Sequence, residues 1–350
     1  MSVLTTIFYF AIVLFTIVFV HEYGHFIVAS KCGVKIEEFA IGMGTKLLGF
    51  NDKRGVLWKF CLFPVGGYVK MYGDDNATSF GGYSDNPSED ELKYSLIYKH
   101  PLKKIAVAFA GPAMNFILGV ILFFAVFSFQ GQPIVKPIVT EVLKNSYAAK
   151  VGIAINDTLL EVNGQKINTF NDVIEQLNTS DKTHINLKIS RNNEVLTLNA
   201  AYNKDKIFGI KCNKIYYKKI NPFQAIIESF IHTTNITTGT IKAICDIVVH
   251  QRGMKNIGGP IAIAKKSAEA GNIGIWALLN FIAIISISLG AINLLPIPML
   301  DGGHIVVNFI ELITHRRFSN FAYKIFVYIG IACLILLMGI GFINDLFINR

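Results

Sequence analysis

The chain has 350 residues, of which 52% are hydrophobic and only 16% are charged. This balance excludes a single soluble domain of that size and predicts several membrane spans. The formal net charge is +9, but the basic residues form no dense block or nucleic-acid motif, so we expect positive loops beside a membrane and no nucleic-acid partner.

Four long apolar runs predict four membrane-spanning helices. They are residues 1–20 with the apolar tail 26–29, residues 105–129, the uncharged run 271–300 and residues 325–343. Each run supplies the roughly 20 residues that a helix needs to cross a bilayer. The third run is also long enough for an irregular extension beyond its helix.

The segment between the first two spans carries a strand pattern. Residues 56–73, VLWKFCLFPVGGYVKMYG, alternate well enough to predict a β-hairpin around Pro64 to Gly67. The stretch 73–91 that follows is rich in Gly, Ser, Asp and Asn, a composition typical of a mobile loop.

The segment between the second and third spans, residues 130–270, is long enough for one soluble domain and a connector. It predicts several short strands, a short helix after Ser146, a hairpin at Asn163-Gly164 and a helix that begins near Asn171. Residues 222–250 are amphipathic, so they either lie on the membrane surface or pack on the spans.

Residues 21–25, HEYGH, follow directly on the first apolar run. Positions i and i+4 of a helix share a face, so His21 and His25 can bind one zinc ion while Glu22 lies beside it. Ionisable side chains in a membrane segment are costly, and three of them together indicate a function. The competing interpretation is a span that ends at Val20, with residues 21–25 in the interface.

A hydrolytic zinc site needs a third protein ligand and an open position. Glu37 and Glu38 fit poorly because they lie outside the helical run. Asp301, in NLLPIPMLDGGH, closes the third predicted span, and His304 is a weaker metal candidate. Spans one and three cross the membrane in the same direction, so their C-terminal ends share a face and Asp301 can meet both histidines of the motif.

The residues before Asp301 also favour a site over a simple span. Pro296 and Pro298 disrupt helical hydrogen bonding, which is tolerated at membrane depth where the backbone is buried in protein or lines a wet cavity. Asn293 can hold a substrate carbonyl, or it can form a hydrogen bond between helices. Residues 302–303, both glycine, are expected to form the turn after Asp301.

Three motifs, in this order along the chain, carry a family resemblance: HEYGH, AGPAMNF (with Gly111, Pro112 and Asn115) and NLLPIPMLDGGH. With them the chain resembles the site-2 protease family of intramembrane zinc metalloproteases, in particular the bacterial regulator-of-sigma-E-protease type. FPVGGYVKM is similar to that family's membrane-associated β-hairpin, and SYAAKVGIAINDTLLEVNGQKI is similar to a PDZ domain. GGPIAIAK, residues 258–265, is similar to a stretch that commonly precedes span three. The resemblance covers nearly the whole chain.

The resemblance implies a zinc metalloendopeptidase with one Zn²⁺ per chain. It implies His21, His25 and Asp301 as the zinc ligands, Glu22 as the general base and Asn293 as a substrate-contacting amide. The first three are also the ligands to which the residues themselves pointed.

The resemblance further implies single-span membrane proteins as substrates, cut within or near their transmembrane segments, as in regulated intramembrane proteolysis of anti-sigma factors or of signal-peptide remnants. The peptide bonds of a helix are hydrogen-bonded and inaccessible, so a substrate must first unwind into an extended strand. Pairing with the hairpin at Gly66 and Gly67 can supply the strand partner. The other expected partners are membrane lipid and a peptide or C-terminal ligand of the PDZ-like domain.

The expected location is the bacterial plasma (inner) membrane, with several passes, the active site near the cytoplasmic face and the PDZ-like domain outside the cytoplasm. Span parity agrees, because an inward first span places residues 130–270 outside. Positive side chains near the proposed inner span ends also agree: Lys31, Lys35, Lys103, Lys104, Arg316 and Arg317.

The predicted fold is a polytopic α-helical membrane protein of about four transmembrane helices, with a membrane-associated β-hairpin and one inserted extracytoplasmic PDZ-like α/β domain. The predicted regions are residues 1–129 (spans one and two with the hairpin), 130–215 (PDZ-like), 216–270 (amphipathic connector) and 271–350 (spans three and four).

Two features depart from the family pattern. One PDZ-like unit is present where the best-known relative has two in tandem, and the usual Pro-Gly-Asp turn is Ile155-Asn156-Asp157. The alternative function is a non-catalytic PDZ-containing membrane adaptor, which would bind no stoichiometric zinc. A transporter with a broken third helix should show repeated half-structures, and the sequence has no visible repeat.

Overall fold

A computed structural model describes residues 2–73, 87–179, 184–201, 208–250 and 258–347. Most of the predicted loop 73–91 lies outside these described residues. The chain forms two compact units, which are described separately: Met1–Val126 with Phe223–Arg350, and Phe127–Pro222.

The elements are numbered along the chain. The helices are α1 (Val3–Lys31), α2 (Glu89–Tyr94), α3 (Pro101–Phe129), α4 (Tyr147–Val151), α5 (Phe170–Thr179), α6 (Pro222–His250), α7 (Pro260–Ile273), α8 (Ile275–Asn293), α9 (Asp301–Thr314) and α10 (Asn320–Phe347). The strands are β1 (Ile36–Asn51), β2 (Leu57–Met71), β3 (Gln132–Val135), β4 (Glu141–Val142), β5 (Thr158–Val162), β6 (Gln165–Lys166), β7 (His184–Arg191), β8 (Glu194–Ala201), β9 (Ile210–Lys211) and β10 (Ile215–Lys218).

Three helices in the described part of the chain, α1, α3 and α8, are long and apolar enough to cross a membrane. They cover the first three predicted spans. Helix α10 contains the fourth predicted span, and the count of four stays a prediction. Helix α1 continues through residues 21–25 to Lys31, so the HEYGH motif is helical and continuous with the first predicted span.

Helix α6 packs on two of these apolar helices. The ring centroids of Phe123 in α3 and His232 in α6 are 5.7 Å apart, and the hydroxyl of Thr240 lies 3.3 Å from that of Ser288 in α8. The hydroxyl of Thr233 donates to a carbonyl one turn earlier in α6. Of the two predicted placements for this amphipathic segment, packing on the spans is therefore observed.

Helix α7 is fixed at its start by the C-terminal helix. The buried carboxylate of Asp345 accepts hydrogen bonds at 2.9–3.1 Å from the backbone N–H groups of Gly259, Ile261 and Ala262. These amides have no partner within their own helix, so the carboxylate satisfies them and favours the helix dipole. Helix α7 in turn packs along α1, the helix that carries the HEYGH motif.

Strands β1 and β2 form an antiparallel pair, but its turn differs from the prediction. The chain reverses at residues 52–56, and both halves of β2 pair with β1. Ala40, for example, faces Lys59 on one side and Tyr68 on the other. The predicted turn at Pro64 to Gly67 is therefore wrong: there the chain moves from one side of the first half of β1 to the other, because long-range pairing outweighs the local turn signal.

The unit Phe127–Pro222 contains a four-stranded sheet in the order β6-β5-β7-β8 and two small antiparallel pairs, β3 with β10 and β4 with β9. Ser146 caps α4, and Asn163 and Gly164 adopt positive φ between β5 and β6, a pattern typical of a tight hairpin. One of the predicted short strands, residues 207–211 (IFGIK), is observed only as β9 (Ile210–Lys211), and residues 202–207 lie outside the described chain. The buried core of the unit Phe127–Pro222 includes Val139, Leu159, Val162, Val173, Ile185, Leu187 and Ile189.

Candidate metal centre

The two histidines of α1 and the aspartate that begins α9 converge on one point. The Nε2 atoms of His21 and His25 are 3.3 Å apart, and oxygens of Asp301 lie 3.3 Å and 3.4 Å from them. Within the described residues, these three form the one group of His, Cys, Asp or Glu side chains whose ligand atoms cluster within 4.8 Å.

These spacings fit a tetrahedral zinc ion. Ligand atoms about 2.0–2.1 Å from such an ion lie about 3.3–3.4 Å from one another. Two imidazole nitrogens and one carboxylate oxygen also form the kind of three-ligand set found in catalytic zinc sites, which leaves the fourth position open. The donor set and its geometry therefore fit the metal that the sequence predicts.

A contact at the Nδ1 atom orients each of the two imidazole rings. His25 Nδ1 lies 2.8 Å from the carbonyl oxygen of Val107, so Nδ1–H donates to that oxygen and Nε2 keeps its lone pair for a metal. His21 Nδ1 lies 3.1 Å from the side-chain amide of Asn115. Among the described residues, Asn115 Oδ1 is buried with no hydrogen-bond partner. An amide can turn by 180°, and Oδ1 then accepts from His21 Nδ1–H.

Close helix contact at two glycines makes this arrangement possible. A Cβ atom at Gly111 of α3 would overlap the imidazole of His25 and lie 2.8 Å from Cε1 of His21. A Cβ atom at Gly24 of α1 would overlap the carbonyl of Ala110. Helices α1 and α3 therefore meet backbone to backbone at the depth of the two histidines.

Asp301 reaches the site from a separate helix. Helix α8 ends at Asn293, residues 294–300 are irregular, and Asp301 is the first residue of α9. The predicted irregular extension of the third run is therefore confirmed, and Asp301 follows that extension instead of ending helix α8 itself. Pro296 and Pro298 interrupt the helix as predicted, because neither can donate a helical hydrogen bond.

The two glycines after Asp301 are helical and do not form the predicted turn. A Cβ atom at Gly302 would overlap the carbonyl oxygens of the irregular segment, and one at Gly303 would lie 2.9 Å from the carbonyl carbon of Ile297. A buried ion pair also ties α9 to α3, with Lys104 Nζ 2.9 Å from Glu311 Oε2. Both contacts fix the position from which Asp301 points at the histidines.

Glu22, a residue of α1, packs against β2. A Cβ atom at Gly67 of β2 would lie only 2.8 Å from Cγ of Glu22 and 2.8 Å from Cγ1 of Val18. Gly66, with φ of 78°, lets the strand approach in this way. The strand that the sequence assigns to substrate pairing therefore touches the glutamate that it assigns to catalysis.

One cavity, of about 210 Å³, contains nearly all of the predicted site residues. Those that line it are His21, Glu22, His25, Gly67, Asn293 and Asp301, together with His304. Asn293 Nδ2 is 3.4 Å from His21 Nε2, and the buried His304 faces the cavity without belonging to the metal-spaced group. Gly66 is the one predicted site residue that does not line it.

Sequence reasoning gave no role to two groups that orient the rings. The carbonyl of Val107 leaves no sequence signal because every residue has one. Asn115 did leave a signal: it is the single carboxamide in the uncharged run 105–129, and a buried amide in such a run needs a partner.

Known proteins match this chain over most of its length. The model of peptidase family M50 matches residues 9–337. Proteins named with the words zinc metalloprotease are 34% identical to the chain in Agrobacterium fabrum (96% of this chain, 94% of the relative), in Rickettsia conorii (96% and 97%) and in Clostridium acetobutylicum (94% and 94%).

Proposed function

Because the chain belongs to peptidase family M50, the site-2 protease family of membrane zinc metalloendopeptidases, we propose that it cuts peptide bonds within or near transmembrane segments of other membrane proteins. The observation that carries the proposal is the meeting of three ligand atoms at tetrahedral spacing beside Glu22, on a helix apolar enough to span a bilayer.

In this proposal His21, His25 and Asp301 hold the zinc ion. When bound there, zinc acts as a Lewis acid that makes water more acidic and polarises a peptide carbonyl. His25 Nδ1–H donates to the carbonyl of Val107, and His21 Nδ1–H donates to Asn115 Oδ1 once that amide is turned by 180°. Both bonds keep the Nε2 atoms directed at the ion.

Glu22 acts as the general base. Its carboxylate takes a proton from the attacking water and then delivers that proton to the nitrogen of the leaving amine, so no net proton is consumed at the glutamate. Contact with Gly67 limits the rotation of its side chain. The carboxylate is thereby held near the point where the three ligand atoms meet.

The substrate must present an extended backbone to this site. The end of β2, from Gly67 to Met71, lines the cavity and pairs on one side with β1. A substrate strand that adds to this segment, starting at Gly66 and Gly67, would place its peptide bonds next to Glu22. Asn293, at the end of α8, is positioned to donate its amide N–H to a substrate carbonyl.

The remaining parts of the proposal concern organisation. The compact unit Phe127–Pro222, with a buried core of its own, supports one PDZ-like domain that binds a peptide or a chain end. Span parity and the positive charge near the inner span ends support a bacterial inner-membrane protein with that unit outside and the metal centre near the cytoplasmic face. Single-span membrane proteins are the proposed substrates.

The substitution Glu22→Gln tests the proposal. Reconstituted in vesicles with a single-span model substrate, this variant should keep its zinc, measured by elemental analysis, and should lose roughly 10²–10⁴-fold in cleavage rate. Glu37→Gln is the matched control, because Glu37 does not line the cavity and should leave the rate unchanged. Cleavage by Glu22→Gln at the wild-type rate would refute the proposal, and absence of zinc from the wild type would favour the adaptor alternative.

A further inference from the structure

Part of the wall of the catalytic cavity is apolar. It consists of five side chains, each at most 2% exposed: Val69, Met71, Leu96, Val107 and Ala108. Four of them belong to one packed apolar cluster, which lies against the histidine helix through residues such as Phe26 and Ala29. These side chains are buried, yet they line the same cavity as the catalytic groups.

The wall is close to the reacting groups. The carbonyl oxygen of Val107 lies 2.8 Å from the ring of His25, and Ala108 is the next residue of α3. On β2, alternate residues share a face, so Val69 and Met71 continue the face on which Gly67 contacts Glu22. A substrate strand beside β2 would pass from the catalytic glutamate to the start of the apolar wall, at Val69, within about 7 Å, which is two residues.

The size and chemistry of this space define what can occupy it. A cavity of about 150 Å³ lined by apolar side chains holds a benzene molecule, so about 210 Å³ has room for one side chain of the size of leucine or methionine beside the metal centre. The wall presents no charged side chain, so a charged substrate residue there would lose its hydration without a partner.

We propose that this wall is a specificity subsite, which selects substrates with a medium-sized apolar side chain within three residues of the cut bond. Ala108 of α3 and Met71 of β2 both line the cavity and set the size of the subsite. The inference rests on the proposed proteolytic function and adds the substrate class to it: the sequence that unwinds into the site must carry a leucine-sized residue at one fixed position.

The test uses the full-length protein and a single-span model substrate whose cut bond is located by mass spectrometry. The three residues on each side of that bond are varied in turn among Ala, Leu, Met, Phe, Trp and Asp, and kcat/KM is measured for each. At one position the wild type should prefer Leu or Met over Trp and Asp by roughly 10-fold or more.

Two variants should shift this preference in opposite directions. Ala108→Val narrows the subsite, and the ratio of kcat/KM for Leu over Ala should fall roughly 10-fold at that position. Met71→Ala enlarges it, and Phe or Trp should gain by a similar factor. Ala106→Val and Met43→Ala are matched controls on exposed positions outside the cavity, and both should keep the wild-type preference.

The outcomes separate this inference from the function on which it rests. Cleavage that depends on Glu22 but shows the same preference in the wild type and in Met71→Ala would overturn the subsite alone, whether or not Ala108→Val remains folded. Absence of Glu22-dependent cleavage by the wild type would overturn the proposed function and the subsite together. An opposite shift in the two variants, without a shift in the controls, would establish the subsite.

Discussion

Asp157 and Asp301 belong to different compact units of the molecule, and they differ in how their oxygens are used. In the unit Phe127–Pro222, the buried Asp157 accepts hydrogen bonds from Arg191 at 2.7 Å and 2.8 Å and from the backbone N–H of Ala154 at 2.8 Å. In the other unit, the oxygens of Asp301 face two imidazole nitrogens at 3.3 Å and 3.4 Å and border a cavity.

The difference separates a structural carboxylate from one that is proposed to bind a metal ion. Asp157 accepts short, charge-assisted hydrogen bonds from the bidentate partner Arg191. These bonds close a turn and occupy the carboxylate oxygens, so no ligand is needed. Asp301 has neighbours at the spacing of ligands around a common ion, with open space beside them. Burial and a cationic or imidazole partner are common to both, so neither property alone identifies a site.

The largest expected effect comes from Asp301. In Asp301→Ala the carboxylate ligand is lost and two histidines remain, so zinc affinity and cleavage should each fall by more than about 100-fold, beyond the usual loss for a residue that only supports a ligand. Zinc content after competition with a chelator measures the first quantity, and cleavage of the model substrate the second.

Asp157→Ala is the matched control, and the zinc content of this variant should equal that of the wild type. Undiminished zinc in Asp301→Ala would refute the ligand set and would direct the search to another carboxylate. Loss of zinc in both variants would mean that the contrast between the two aspartates does not hold.

A smaller effect is expected at Asn115, which contacts His21 but is not itself one of the proposed metal ligands. Its amide oxygen is proposed to accept from His21 Nδ1–H, so Asn115→Ala should weaken zinc binding by about 10–100-fold. Asn115→Asp keeps an acceptor oxygen and should retain most of the affinity. Chelator competition measures both variants, alongside the temperature of unfolding.

The variant Asn115→Asp tests the direction of the hydrogen bond between Asn115 and His21. If the amide nitrogen were the group that faces His21, Asn115→Asp would be as harmful as Asn115→Ala. Equal losses of zinc in the two variants would therefore contradict the proposed orientation. A fall in unfolding temperature without any change in zinc affinity would show that Asn115 serves packing alone.

Local signals explain how much of this molecule could be predicted from its sequence. The uncharged lengths of α1, α3 and α8 predict apolar spans, and the spacing of His21 and His25 predicts two ligands on one helical face. In the smaller unit, Ser146 and Asn163-Gly164 are cap and turn residues whose backbone conformations follow from their own chemistry. Here sequence and structure agree because each element is determined within a few residues.

The differences arise where distant contacts decide. The turn of the β1–β2 pair lies at residues 52–56 because both halves of β2 find partners in β1, a pairing that no local pattern reveals. Gly302 and Gly303 are helical and not a turn because carbonyl groups of the irregular segment pack against them. Such contacts depend on which segments become neighbours, so they appear only in three dimensions.

Asp157→Asn is expected to have the smallest effect on catalysis. Its main effect should be a loss of folding stability. Burial alone would raise the pKa of Asp157, but the hydrogen bonds from Arg191 and Ala154 lower it below 3.8, the value of the free side chain. Because the folded state lowers this pKa, the stabilisation is fully present above about pH 4 and is lost as the pH falls through the folded value. At neutral pH the substitution should cost about 2 kcal/mol of unfolding free energy, reduced from the cost of a fully buried pair because Arg191 is partly exposed.

Hydrogen exchange of the β7 amides in the full-length protein measures this cost without isolating the unit. Protection in Asp157→Asn should be lower than in the wild type at pH 7, and the two should converge toward pH 3, while zinc content stays equal at pH 7. Arg191→Gln should reproduce most of the loss, because it removes the same bidentate contact. A gap between wild type and Asp157→Asn that stays constant from pH 7 to pH 3 would show that the side chain stabilises the turn by its shape and not by its charge.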